Sequence, residues 1–171
     1  MIINDSLNTI DYVRNIEEMG KGLVLIKLLR KDKRAGLKYH FFYENGVKPP
    51  YDLAIDPQDN KVDYFSFFIQ DEKVGVKKCS FSFEFRGAVE ITDDNFSFDN
   101  SRISSSKEFD VFINQEDLFV LGKNARFENI VAYEIGDNTY ILFSEQDCFE
   151  GIMIKSLTDL ERNQLVSADV I

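Results

Sequence analysis

Residues 51–70, YDLAIDPQDNKVDYFSFFIQ, decide the class of fold that the sequence predicts. The first run of this stretch alternates apolar and polar side chains, and the run Lys61–Gln70 is the strongest strand signal of the chain. Between them, residues 56–60 combine proline with Asp, Gln and Asn, which are typical of turns. We therefore expect a hairpin formed by these two runs.

Similar alternating runs precede and follow this hairpin. Phe81, Phe83 and Phe85 alternate with polar residues and predict a half-buried strand. Residues 127–135 and 139–143 flank a Gly-Asp-Asn turn and predict a second hairpin. Residues 23–29 are apolar on both faces, which predicts either a central strand or a buried helical turn. Other predicted strands are 37–43, 88–91, 109–113, 118–121 and 152–154. Because no long helical segment separates the strands, parallel βαβ winding is disfavoured.

Helical patterns occur near both ends. Leu7, Ile10, Val13 and Ile16 recur at helical spacing and predict a short amphipathic helix over about 6–19. The sequence Thr158-Asp159-Leu160-Glu161 has the form of a capping box, which predicts a second helix over about 158–166. Its predicted apolar face contains three leucines, Leu157, Leu160 and Leu165.

Together these patterns predict an α+β fold that is predominantly antiparallel β, either a sandwich or a partly open barrel, with a short helix at each end. The chain of 171 residues contains no linker, so we expect one domain over residues 1–171. With 16 Phe and 7 Tyr, its core should be dense in aromatic rings.

The composition also predicts the cellular setting. Two cysteines, Cys79 and Cys148, are too few for a disulfide framework, and no CxxC pair suggests zinc. The N-terminal stretch has no pattern of a signal peptide, and the apolar stretch 22–29 is too short to span a bilayer. We therefore expect a reduced, cytoplasmic protein that does not enter a membrane.

Negative charge is concentrated in the second half of the sequence. Residues 1–86 carry 14 Lys+Arg and 13 Asp+Glu, whereas residues 87–171 carry 6 Lys+Arg and 17 Asp+Glu. Charge of this kind bears on partners and solubility more than on fold. It favours a partner with a basic surface over nucleic acid, because phosphates would be repelled by the net charge of −10.

Catalytic patterns are weak. The single histidine, His40, lies on a predicted aromatic strand, where a structural role is the simpler interpretation. Cys148 has acidic neighbours that oppose thiolate formation, and Cys79 begins a predicted strand. The sequence has no phosphate-binding loop, nucleophile elbow or HExxH pattern. It therefore favours binding over catalysis, and we predict no catalytic residues.

Two acidic runs and one basic run invite a ligand interpretation. Asp93-Asp94-Asn95 and Asp56–Asp59 supply oxygen ligands, but neither fits a calcium-loop spacing. The cluster of lysines and arginines at 30–34 reads as a solvated turn. We predict neither a metal nor a cofactor.

Two functions from different classes remain. The first is a non-catalytic acidic module that binds a protein with a basic surface; bacterial immunity-type proteins that neutralise basic toxins share this size and charge. Its predicted contact residues are Asp93, Asp94, Glu108, Asp110, Glu116 and Asp117. The alternative is a β-scaffold that binds a small apolar ligand, or an enzyme, with a pocket among its aromatic strands. A filled core would count against the alternative.

Overall fold

The computed structural model describes residues 1–6, 10–78, 81–125 and 129–171. In these ranges the protein is mostly β-structure in mixed and antiparallel sheets, with one short helix near the C-terminal end. The strands are β1 Ile2–Ser6, β2 Tyr12–Gly20, β3 Leu23–Arg30, β4 Tyr39–Glu44, β5 Tyr51–Asp56, β6 Lys61–Gln70, β7 Gly75–Val76, β8 Phe83–Arg86, β9 Ala88–Thr92, β10 Arg102–Ser106, β11 Phe109–Asn114, β12 Asp117–Gly122, β13 Ile130–Gly136, β14 Thr139–Ser144 and β15 Phe149–Ile154, and the helix is α1 Asp159–Ser167.

A six-stranded sheet has the order β10-β4-β5-β6-β3-β2. Its centre is the predicted hairpin: β5 and β6 are antiparallel, with Leu53 opposite Phe65 and Ile55 opposite Val62. A bulge between Ala54 and Ile55 shifts the register. The prediction made from residues 51–70 is therefore confirmed.

A seven-stranded sheet has the order β7-β11-β12-β15-β14-β13-β8. The second predicted hairpin is confirmed as β13–β14, and β15 pairs antiparallel with both β12 and β14. Both edge strands, β7 and β8, are parallel to their neighbours, as β10 is in the other sheet. Strands β1 and β9 form a separate antiparallel ribbon.

The predicted N-terminal helix over 6–19 is wrong. Residues 12–20 form strand β2, which pairs antiparallel with β3, whereas residues 7–9, including Leu7 of the predicted stripe, lie outside the described part. Tyr12 and Ile16 are buried, but Val13 is 39% exposed, which helical burial of the stripe would not allow. Hydrogen bonding along the edge of β3 prevails over a weak helical pattern.

The predicted C-terminal helix is confirmed as α1. Thr158 is its N-cap, and the Thr158 side chain and the Glu161 side chain accept each other's backbone N–H as a capping box requires. Leu157 and Leu165 are buried as expected. Leu160 is 70% exposed, so the predicted apolar face is wrong at that residue.

One buried cluster contains side chains from both large sheets, including the rings of Tyr51, Phe65 and Phe143. Among its rings, Tyr51 lies 5.2 Å from Phe149 and 5.5 Å from Phe109, measured between centroids. The expectation of a ring-rich core is confirmed.

A second buried cluster lies on the other side of the seven-stranded sheet. The rings of Phe112 and Phe119 stack 5.2 Å apart, and Phe81 stacks on Phe119 at 4.7 Å. The predicted strand 81–85 is confirmed only from Phe83, where β8 begins. The prediction that its phenylalanines are buried on one face is wrong for Phe85, which is 52% exposed. Within the described ranges, no helix is long and apolar enough to cross a membrane.

Candidate functional site

Glu116 and Asp117 are two of the predicted contact residues and lie at one end of the seven-stranded sheet: Glu116 is in the turn between β11 and β12, and Asp117 is the first residue of β12. Glu116 is exposed, and Asp117 accepts a hydrogen bond from the backbone N–H of Ser156 at 2.9 Å. Neither carboxylate forms an ion pair with a described residue. They therefore keep their negative charge available to a partner.

Glu108 and Asp110 lie at the opposite end of the same hairpin. Strand β11 runs from Phe109 to Asn114, so Glu108 is about 20 Å along the chain from this turn. Lys123 lies 2.5 Å from the Glu108 carboxylate, and Lys77 lies 3.3 Å from the Asp110 carboxylate. A partner could contact Glu108 and Asp110, but a lysine neutralises the charge of each.

Asp93 and Asp94 lie in the segment after β9. The Asp93 carboxylate is 2.9 Å from the amino group of Met1 and accepts the backbone N–H of Asn95. Burial alone would raise the pKa of Asp93, but these bonds outweigh it and lower the pKa. Asp94 is exposed and has no ion pair in the described chain. The six predicted residues therefore do not form one contiguous face.

Three acids that the sequence interpretation did not select lie near Glu116 and Asp117. Glu134 and Asp137 lie at the end of β13, and Asp159 begins α1. We call Glu116, Asp117, Glu134, Asp137 and Asp159 the acidic end. Among the described residues, none of these five carboxylates lies within ion-pair distance of a lysine, an arginine or the histidine.

The acidic end is held together by the segment that joins β15 to α1. The backbone N–H of Lys155 donates to the carbonyl of Asn138, in the β13–β14 turn, at 2.8 Å. Two residues on, the N–H of Leu157 donates to the carbonyl of Glu116, in the β11–β12 turn, at 2.9 Å. One short segment thus bridges both turns and places their carboxylates on the same end.

A pair of partly exposed aromatic rings borders the acidic end. Phe85 and Tyr140 pack edge to face at 5.4 Å, and the ammonium of Lys155 lies 5.2 Å from the Phe85 ring. Burial raises the pKa of Tyr140, and the charges of Glu134 and Asp117 raise it further, which shows that these acids are near the ring. An exposed apolar anchor therefore lies beside unpaired carboxylates.

In the first half of the chain, by contrast, acids and cations largely neutralise each other. Arg30, predicted to lie in a solvated turn, is only 2% exposed, and its guanidinium contacts Asp32 at 2.5 Å and Asp59 at 2.8 Å. Lys38 lies between Asp56 and Asp63, at 2.8 and 3.1 Å. The interpretation of residues 30–34 as a solvated turn is wrong for Arg30.

His40 lies in a polar cluster on the six-stranded sheet. Its Nδ1 is 2.9 Å from one carboxylate oxygen of Asp52, and the Tyr64 hydroxyl donates to the other at 2.6 Å. The His40 ring stacks on Phe42. In the part of the chain that the structure describes, no serine, threonine or cysteine side chain is hydrogen-bonded to His40, so this geometry fits a structural role.

Cys148 is exposed in the turn before β15, and Cys79 lies outside the described residues. The described ranges contain no group of three or more His, Cys, Asp or Glu side chains that could hold a metal ion.

Two pockets bear on the alternative of a ligand-binding scaffold. One, of about 180 Å³, lies between β2, β9 and β13 and is lined by Tyr12, Lys61, Val89 and Ile135. The other has a volume of only about 30 Å³ and is lined by aromatic rings, among them Tyr51 and Phe109. The core is therefore well filled around its aromatic cluster.

No protein-family model matches this chain, and no curated protein sequence matches it. A function must therefore be argued from its own surface.

Proposed function

We propose that this protein is a non-catalytic binding protein whose acidic end docks on a basic surface of a partner protein. The observation that carries the proposal is the separation of charge: Arg30 and Lys38 neutralise acids in the first half, whereas no carboxylate of the acidic end forms an ion pair with a described lysine or arginine. A surface of this kind steers a cationic partner and orients it on contact.

The neighbouring apolar groups supply what charge alone does not. Phe85 is 52% exposed and Leu160 is 70% exposed, and Leu160 follows Asp159 directly in the chain. Stable interfaces place apolar anchors at the centre and polar groups at the rim. The exposed apolar side chains would therefore bind a partner that the carboxylates attract.

We further propose a setting for this binding. A bacterial immunity-type protein in the cytoplasm must capture a basic toxin quickly, and unpaired carboxylates accelerate such an encounter. The partner class is therefore a basic toxin.

We also propose that the two large sheets pack face to face as a sandwich, because one buried cluster contains side chains of both.

The test compares two variants with the same change in charge. E116Q/E134Q/D159N removes three charges from the acidic end, and E145Q/D94N/D99N removes three exposed charges elsewhere. Each protein is immobilised and exposed to extract of the native cell at about 50 mM and about 500 mM NaCl. We expect the wild type and the second variant to retain the same basic protein at low salt and to release it at high salt.

The acidic-end variant should retain little of that protein at either salt concentration. Equal capture by both variants would show that general charge, and not the acidic end, is responsible. Capture that ignores salt would overturn the electrostatic mechanism, and failure to capture any basic protein at low salt would overturn the proposal.

A second candidate function is the binding of a small apolar ligand in the space of about 180 Å³. A space of this size accommodates a benzene-sized molecule. Toluene should then shift the NMR signals of Val89 and Ile135, and Val89→Phe should abolish the shifts, whereas Val47→Phe, on an 84% exposed residue, should not. Unshifted signals at saturating toluene would exclude this function.

A further inference from the structure

Two buried polar atoms have no hydrogen-bond partner among the described residues: the hydroxyl of Tyr51 and Oε1 of Glu72. Tyr51 is 1% exposed. Glu72 uses its other carboxylate oxygen, Oε2, to pair with Lys48 at 2.7 Å. Buried polar atoms in native proteins are nearly always paired, so each of these atoms requires an explanation.

Both residues line the same cavity, which lies among the loops at the end of the molecule opposite the acidic end. The cavity has a volume of about 30 Å³, which suffices for a group of one or two non-hydrogen atoms. Rings of Tyr43, Phe67 and Phe109 form much of the remaining wall. The cavity is therefore a narrow, aromatic recess with a hydrogen-bond donor and an acceptor in its lining.

The chemistry of the two atoms defines the group that fits. Burial raises the pKa of Tyr51 well above its usual value, and nearby Tyr43 and Asp52 raise it further, so the hydroxyl remains a donor. A carboxylate oxygen of Glu72 can only accept. An ammonium could not accept from Tyr51, and a carboxylate could not donate to Glu72. A hydroxyl can do both.

The recess opens toward a wider groove. Asn45, Lys48, Glu72 and Phe109 line both, and the groove has about 510 Å³ of room. Its lysines already have counter-charges: Lys77 pairs with Asp110 and Lys123 pairs with Glu108. The groove thus presents paired charges and one aromatic side chain, an environment suited to a neutral ligand with many hydroxyl groups.

We infer that this groove binds a neutral polyhydroxylated compound of the saccharide class, with one ligand hydroxyl inserted between Tyr51 and Glu72. The site is separate from the acidic end, and it does not depend on the proposed protein partner.

The test uses NMR titration of the full-length protein with D-glucose, D-galactose and myo-inositol as probes, and with inorganic phosphate as an anionic comparison. At least one polyol should shift the amide signals of residues 45–48 and 72, and phosphate should shift them less. Tyr51→Phe, which removes only the unpaired hydroxyl, should weaken binding about tenfold without lowering the melting temperature. Glu72→Ala, which removes the acceptor oxygen, should weaken binding as well, and Tyr140→Phe, at the opposite end, should not.

Three outcomes would overturn the inference. The first is the absence of a shift with any polyol at about 100 mM, which would leave the recess to water alone. The second is equal affinity of the Tyr51→Phe and wild-type proteins, or of the Glu72→Ala and wild-type proteins if the tyrosine variant does not fold. The third is tighter binding of phosphate than of every polyol.

Discussion

At the scale of single residues, Gly151 shows how closely the seven-stranded sheet is packed. Its backbone has a φ of +144°, which L-amino acids with side chains rarely adopt. A Cβ atom added there would lie 2.0 Å from the carbonyl oxygen of Val120 on the neighbouring strand. The backbone of β12 would have to move to make room.

We predict that Gly151→Ala lowers the free energy of unfolding by about 3 kcal/mol or more, through overpacking and backbone strain. Gly75→Ala is the matched control, because a Cβ atom at Gly75 would meet nothing within 4 Å. Urea denaturation followed by circular dichroism measures both. A loss for Gly151→Ala no larger than that for Gly75→Ala would contradict the contact.

Single residues also explain why charge counting located only part of the acidic end. Glu116 and Asp117 were selected because they are acidic and belong to the acidic half. Glu134, Asp137 and Asp159 have the same chemistry, but only the order of strands places them beside the other two. Glu108 and Asp110 are predicted to face outward because they alternate with apolar residues on one strand, yet Lys123 and Lys77 neutralise them.

At the scale of elements, α1 is attached to the edge strand β2. The Arg14 guanidinium donates two hydrogen bonds to the Glu161 carboxylate, at 2.6 and 2.8 Å, and the side chains are only 4% and 11% exposed. Burial alone would raise the pKa of Glu161, but bonds from Arg14 and Thr158 outweigh it and lower the pKa. The pair thus joins the last helix to the second strand.

This attachment should depend on pH. Because the folded-state pKa of Glu161 lies below its ordinary value of 4.5, its stabilisation is present above pH 4.5 and is lost as the pH falls through the folded-state value. Glu161→Gln should cost about 3 kcal/mol at pH 7.

Unfolding curves at a series of pH values test this prediction. The difference between the wild-type and Glu161→Gln proteins should narrow below pH 4.5. Leu160→Ala, on an exposed residue of the same helix, should retain the wild-type pH dependence. A difference that stays constant down to pH 3 would show that Glu161 contributes no linked proton.

Elements differ in how far the sequence predicts them. Both hairpins and α1 were predicted because their turns and cap are local signals. Strand β2 was missed because its inward face includes Arg14, which looks polar in sequence and is buried only through its pair with Glu161. No local pattern reveals a partner 147 residues away.

At the scale of the whole molecule, the net charge of −10 is unevenly compensated. Because no carboxylate of the acidic end forms an ion pair with a described residue, these carboxylates repel each other, and such repulsion destabilises the compact state. Most surface ion pairs elsewhere contribute little to stability, so screening them costs little.

We therefore predict that raising NaCl from about 20 to about 200 mM increases the melting temperature by about 2–4 °C. The acidic-end variant E116Q/E134Q/D159N should melt higher than the wild type at low salt and should respond less to added salt. Calorimetry at both salt concentrations measures this effect. A wild-type melting temperature that falls with salt would mean that ion pairs such as Arg14–Glu161 outweigh the repulsion.

Strands β7 and β8 form both edges of the seven-stranded sheet, yet they precede every other strand of that sheet in the chain. At a synthesis rate of about 5–20 residues per second, β8 leaves the ribosome roughly 3–10 s before its partner β13 is complete. During that interval Phe83 and Phe85 have no sheet on which to pack. The nascent chain therefore exposes Phe83 before β13, the pairing partner of β8, has been made.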